Sequence, residues 1–295
     1  MTVRAETGDV GRHAARVGAA LDAFLADGSD ALERRPEWTA ALDRPLPAQG
    51  LGADGVLAEL EQQVIPNGTR LSEPGFWGWI TTGPTTIGAV TTLAATVAAP
   101  QRATLTAFNL LEEVSLGWLA ELCGLPAGMK GVYSSGGSTA NLVALGAARQ
   151  WALERAGLDP AADGLDGRPL AIYASAEAHH TVQRAAGVLG LGRRAVRVVG
   201  VDDRGRLDPG ALRRALAQDA AAGVLPVAVV ATAGTTNTGA IDPLRAAGEL
   251  AREHGAWFHV DGAYGLLGIL DERVADRYDG LELADSAIVD PHKWL

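Results

Sequence analysis

Cysteine is almost missing from this sequence: Cys123 stands alone among 295 residues. One thiol excludes an internal disulfide framework and fits a reducing, cytoplasmic setting. The opening MTVRAETGDV has an early acid and no apolar h-region, so no secretory leader is expected. Positive charge is in deficit, with 25 Lys and Arg against 35 Asp and Glu for a net −10. That balance disfavours nucleic acid or an anionic membrane surface as partner, and a phosphate would have to be held locally. One uncharged stretch, Gly75 to Gln101, is long enough in principle to cross a bilayer. Its seven threonines and Gly83-Pro84 argue against a membrane span, and a buried loop and helix is expected instead. Lysine is the scarcest charged residue, found only at Lys130 and Lys293 beside 23 arginines. A bias towards arginine accounts for the surface. Lys293 stands out because an amine can deprotonate and attack a carbonyl, which a guanidinium cannot.

What is present is ordinary for a globular chain, 47% hydrophobic and 20% charged, with 37 glycines and 14 prolines spread along it. A chain of this length hides about three quarters of its extended surface and folds without staples. Residues 1–75 read as a helical arm. Val17, Leu21, Phe24 and Leu25 follow helical spacing up to Gly28, and Val56, Leu57, Leu60 and Val64 do so up to Pro66. These stripes are narrow, so the arm is expected to pack on another surface, within the chain or on a partner subunit. Residues 76–295 read as an α/β domain. Candidate strands at 131–134, 170–175, 195–201, 227–232, 257–261 and 286–290 alternate with helices such as 138–156 and one capped by Asp208 and Pro209. The run 227–231 shows no alternation, as expected of a strand covered on both faces.

Chemistry gathers at the ends of these strands. Ser134-Ser-Gly-Gly-Ser-Thr-Ala-Asn141 opens a helix, where free N–H groups and the helix dipole suit an anion. It lacks both a Walker lysine and the G-x-G-x-x-G spacing. Asp261 closes an apolar strand at the edge where α/β proteins bind ligands, and His259, two residues earlier, reads as a core histidine. His179 and His180 are adjacent, a poor metal pair, so no metal site is expected. Thr235-Thr236 makes a hydroxyl-rich loop, and His292-Lys293 follows the last strand. An anion cradle, a histidine, a hydroxyl loop, an aspartate and a lysine together describe a site for pyridoxal phosphate.

The segments SSGGSTANLVAL, AHHTVQRA, ATAGTTNTGAIDP, WFHVDGAYG and DPHKWL, in that order, resemble the group II pyridoxal-phosphate-dependent amino acid decarboxylases. The similarity runs from about Pro74 to Leu295. It implies a fold type I large domain, a mostly parallel sheet flanked by helices, behind an N-terminal helical arm. It also implies pyridoxal 5′-phosphate as cofactor, an L-amino acid as substrate and a homodimer with its site at the subunit interface. Residue by residue, Lys293 would hold the cofactor as an imine and Asp261 would pair with the pyridine nitrogen. His179 would stack on the ring, Gly137 and Ser138 would bind the phosphate, and Thr236 would lie near the ring hydroxyl. Ala263 would pack beneath the ring and His292 would lie beside the imine. Asp290 stands where some relatives have Asn; an acid there would repel the phosphate, and it is left out of the cofactor shell.

The sequence stops two residues after Lys293, whereas the family continues into a small C-terminal domain and a loop that supplies a tyrosine. The expectation is therefore a truncated product, prone to self-association and weakly active. Decarboxylation is the expected activity of the complete protein. Aldehyde-forming deamination, transamination and a catalytically silent cofactor-binding role are the alternatives. Phe76, Trp77 and Trp79 could line a pocket for an aromatic substrate.

Overall fold

Apolar runs bounded by Gly, Pro and Asp become five parallel strands in the computed structural model, which describes residues 8–27, 35–76, 78–83, 85–98, 103 and 106–294. The chain divides into two units, Met1–Gly78 and Trp79–Leu295. The first holds helices α1 (Val10–Ala26), α2 (Arg35–Leu42) and α3 (Gly52–Glu59), the last continuing into a π-helical turn and a 3₁₀ turn. Within these helices only Leu57 is buried among the described residues. The unit is tied by polar contacts instead: Arg16 forms a bidentate pair with Glu61 at 2.8 Å, and Arg70 Nε donates to the Phe24 carbonyl at 2.8 Å.

The second unit opens with α4 (Thr86–Ala98) and α5 (Ala107–Leu122). It continues through α6 (Gly137–Arg155), α7 (Pro160–Asp163), β1 (Leu170–Ser175), α8 (Thr181–Val188), β2 (Val196–Val199) and α9 (Pro209–Ala221). Next come β3 (Leu225–Thr232), α10 (Leu244–Glu253), β4 (Trp257–Asp261), β5 (Ser286–Ile288) and α11 (Pro291–Trp294). The strand order is β2-β1-β3-β4-β5, all parallel. Burial on both faces explains the missing alternation in β1 and β3. In β1, Ala171 and Tyr173 join the core that holds Leu212, Leu216 and Leu250, while Ile172 and Ala174 join the one that holds Leu145, Leu153 and Val182. The pleat sends successive side chains to opposite faces, so each strand feeds two apolar layers. Asp208 caps α9 as its sequence suggests, accepting the Gly210 N–H at 2.8 Å. Asp242, buried behind β3, accepts the N–H groups of Leu207 and Thr232, both at 2.7 Å. Burial pushes its carboxyl pKa up to about 6.

Two expectations fail. Residues 131–134 form no strand; Val132 and Tyr133 are half exposed, and the segment lies along α5, with Tyr133 Oη donating to Ser115 Oγ at 3.1 Å. An extended stretch with no neighbouring strand has no ladder to join. The helix within Gly75–Gln101 is also not buried: Ile87, Val90 and Val97 of α4 are 57–67% exposed, because no part of the described chain covers that face. No helix among the described residues is long and apolar enough to cross a membrane.

Candidate active site

The register of the sheet sets Thr232 of β3 beside Asp261 of β4, and Asp261 beside Ile288 of β5, so three strands end side by side. The N-terminus of α6 comes to the same edge. Gly136, with φ 135°, takes a conformation that residues with a Cβ rarely adopt, and no side chain caps the helix it starts. Its first N–H groups are thus left for another acceptor. Gly137 permits a close approach: a Cβ there would lie 3.2 Å from Asp290 Oδ2 and 3.7 Å from the Ala263 Cβ.

Asp261 is buried and its carboxylate is held on both oxygens. Oδ1 accepts the Ala263 N–H at 3.2 Å and Oδ2 accepts Asn141 Nδ2 at 3.0 Å. Lys293, on α11, directs Nζ to Asp290 Oδ2 at 2.9 Å, with most of its side chain covered. His179 lies between β1 and α8, its Nδ1 2.9 Å from Thr181 Oγ1. Burial is the largest influence on its ring and, together with the neighbouring His180, lowers its pKa; Asp261 opposes the shift in part. The ring is therefore held neutral near pH 7.

These groups surround one cavity of about 240 Å³. Gly137, Ser138, His179, Thr236, Asp261, Ala263 and Lys293 all line it. His292 does not. Its side chain is 58% exposed, with Nε2 3.7 Å from Asp290, and its carbonyl accepts the N–H and hydroxyl of Thr82. Of the three aromatic residues, Trp79 lines the cavity, Phe76 belongs to the first unit, and Trp77 lies outside the described residues. Asp290 requires a correction, since it lines the same cavity with its carboxylate turned towards Gly137 and Lys293. The short α11 turns back after β5, and this brings residue 290 to the start of α6.

Asn141, Thr181, Thr232 and Tyr264 also line the cavity and were not singled out from the sequence. Asn141 left a trace there. It heads the helical stripe Asn141, Ala144, Leu145, Ala148, all buried, and a polar residue on the apolar face of a helix needs a partner inside. The buried hydroxyl of Thr232 has no hydrogen-bond partner among the described residues.

A parallel sheet, a helix N-terminus without a side-chain cap among the described residues, a buried aspartate and a covered lysine around one cavity are what an α/β domain of the pyridoxal-phosphate-binding class requires. Residues 36–295 match the pyridoxal-dependent decarboxylase conserved domain, and the chain belongs to that family. It is 35% identical over 288 residues to the cysteine sulfinic acid decarboxylase of Mus musculus, covering 94% of this chain and 57% of that protein. It is 36% identical over 185 residues to an aromatic-L-amino-acid decarboxylase of Bacillus atrophaeus, covering 63% and 36%. Among solved structures, the glutamate decarboxylase domain of a Vibrio parahaemolyticus protein superposes with TM-score 0.88 at 28% identity, over 98% of this chain and 65% of the other. A tryptophan decarboxylase of Oryza sativa, solved with pyridoxal phosphate and tryptamine, gives TM-score 0.85 at 27% identity, over 99% and 63%. The chain thus spans less than two thirds of the length of these relatives.

The residues present fit pyridoxal 5′-phosphate, the cofactor of this family. The uncapped α6 terminus suits a phosphate, the Asp261 carboxylate a protonated ring nitrogen, and the Lys293 amine an aldehyde. Asp290, beside Gly137, carries a charge that opposes the phosphate.

Proposed function

We propose that this chain binds pyridoxal 5′-phosphate in the cavity and serves the decarboxylation of an L-amino acid. The observation that carries the reading is the convergence of Lys293, Asp261 and the uncapped start of α6 on one cavity. Gly137 and Ser138 offer backbone N–H groups, and Ser138 a hydroxyl, to the phosphate. The buried Asp261 carboxylate would favour a proton on the ring nitrogen, and the Lys293 amine would hold the cofactor through its aldehyde. His179 and Ala263, both on the cavity wall, would flank the ring and Thr236 would lie near its hydroxyl, while the proposed place of His292 beside the imine rests on its position next to Lys293 in the chain. When bound, the cofactor supplies an electron-withdrawing ring that takes up the electron pair left as CO₂ departs. Trp79 and Tyr264 on the cavity wall support an aromatic substrate. The test is incubation with cofactor and acidic, basic and aromatic L-amino acids, measuring CO₂ and amine. Amine with stoichiometric CO₂ is expected; aldehyde with ammonia would establish deamination, and cofactor binding with no product would establish a silent module.

Asp290 makes a direct test of the phosphate cradle. Asp290→Asn removes a like charge beside the α6 terminus while keeping the side-chain shape. It is expected to tighten cofactor binding about tenfold, since a nearby like charge costs one to a few kcal/mol at an effective dielectric of about 20. Titration of the cofactor absorbance reads this out, and weaker binding would mean that the Lys293–Asp290 pair matters more than the repulsion.

We further propose a cytoplasmic homodimer, with residues 1–75 as a dimerisation arm and 76–295 as the cofactor-binding domain. Ile87, Val90 and Val97 of α4 and Leu110, Leu111 and Trp118 of α5 are all at least 56% exposed, an apolar area larger than single scattered residues account for. Sedimentation velocity should give a dimer at micromolar concentration, and Val90→Asp should shift it towards monomer. A monomer throughout that range would overturn the proposal.

A further inference from the structure

A chain of hydrogen bonds, buried at Asp261, Asn141 and His259 and half-buried at Ser286 and Trp257, leads away from the cavity behind Asp261. Trp257 Nε1 can only donate, and it does so to Ser286 Oγ at 2.8 Å. The Asp261 carboxylate can only accept when ionised, and it takes Asn141 Nδ2 at 3.0 Å. That contact fixes the Asn141 amide, so its Oδ1 is the atom facing His259 Nε2 at 2.9 Å. His259 Nε2 must therefore carry the proton. Its Nδ1, 2.8 Å from Ser286 Oγ, is left to accept the serine hydroxyl that Trp257 has oriented. Complete burial lowers the His259 pKa and keeps the ring neutral, in agreement with a single ring proton.

The chain has a second branch. Asn141 Nδ2 also lies 3.1 Å from Thr181 Oγ1, which spends one lone pair of that hydroxyl as acceptor. In the arrangement inferred, the Thr181 proton points at His179 Nδ1, 2.9 Å away, and the proton of a neutral His179 sits on Nε2. His259 is 0% exposed and is not among the residues lining the cavity, so water cannot replace its missing partner without rearrangement.

We propose that Asn141 and His259 are positioning residues of this site: the chain from Trp257 through Ser286, His259 and Asn141 aims the Asp261 carboxylate and, through Thr181, sets the tautomer of His179. The proposal rests on the reading that Asp261 pairs with the cofactor ring nitrogen. Loss of Asn141 strips Asp261 Oδ2 of its donor and His259 Nε2 of its acceptor at once. His259→Phe keeps an aromatic ring at the position but leaves Asn141 free to turn.

The test compares the affinity of the protein for pyridoxal phosphate and for its 1-carba analogue, in which C–H replaces the ring nitrogen. Asn141→Ala and His259→Phe are expected to weaken the natural cofactor about tenfold or more, the scale of a lost hydrogen bond to a charged group. Analogue affinity should stay within about twofold, because a C–H makes no use of an aimed carboxylate. Asp261→Asn separates the two layers of the argument. Failure of Asp261→Asn to discriminate between the ligands overturns the ring-nitrogen reading. Discrimination by Asp261→Asn alone, or equal loss of both ligands in Asn141→Ala and His259→Phe, overturns the positioning role. A measurement on the unsubstituted protein guards against variants that do not fold. Nitrogen-15 spectra of labelled histidine should show Nδ1 unprotonated and Nε2 protonated in both His179 and His259, and the opposite tautomer in either ring would sink the proposal.

Discussion

Lys293→Arg is expected to abolish covalent retention of the cofactor outright, although the charge is kept. A guanidinium stays protonated at any pH the protein tolerates, whereas an amine can shed its proton and add to an aldehyde. Borohydride reduction followed by peptide mass mapping checks this, with the pyridoxyl group expected on Lys293 in the unsubstituted protein and nowhere in the variant. The chain provides its own control. Its other lysine, Lys130, has a side chain 85% exposed beside Glu113 at 3.6 Å, whereas the Lys293 side chain is 22% exposed at the cavity wall. Labelling confined to Lys130 would refute the assignment.

The second large effect is expected from Asp261→Asn. The substitution keeps the volume of a buried side chain and removes the negative charge that holds a proton on the ring nitrogen. Removing one partner of a buried charged pair costs on the order of 3–5 kcal/mol, which corresponds to a fall of about two to four orders of magnitude in whichever step relies on it. Turnover in the proposed decarboxylation should fall by that amount while the fold persists, because the amide keeps the side-chain volume and its oxygen still accepts from one of the two donors, Asn141 or Ala263. Turnover within threefold of the unsubstituted protein, with unchanged circular dichroism, would be incompatible with a catalytic role for Asp261.

Much of this arrangement was legible before any coordinates. Gly136-Gly137 before a helix, Asp261 closing an apolar run, and a lysine retained among 23 arginines are local features, and local chemistry survives folding. The same logic placed β1, β3 and β4 to within two residues, since each is a short apolar run between turn residues. It failed at residues 131–134, where an extended segment resembles a strand in every respect except having a neighbour to pair with. It failed again at α4, because an uncharged run predicts burial without saying what covers it.

Asp290 and Asn141 show where sequence reasoning stops. Asp290 was set aside on charge alone, yet the turn into α11 brings its carboxylate against Gly137 and onto Lys293. Asn141 bonds to His259 and Asp261, which lie 118 and 120 residues further along the chain. By itself the sequence determined the family and the strand or helix end at which each candidate site residue stands. Their convergence on one cavity and the two oxygens of Asp261 held from different directions were decided only by the tertiary structure. Strand order, register and the packing of α6 against the sheet are properties of contacts between distant segments, and no local preference of the chain encodes them.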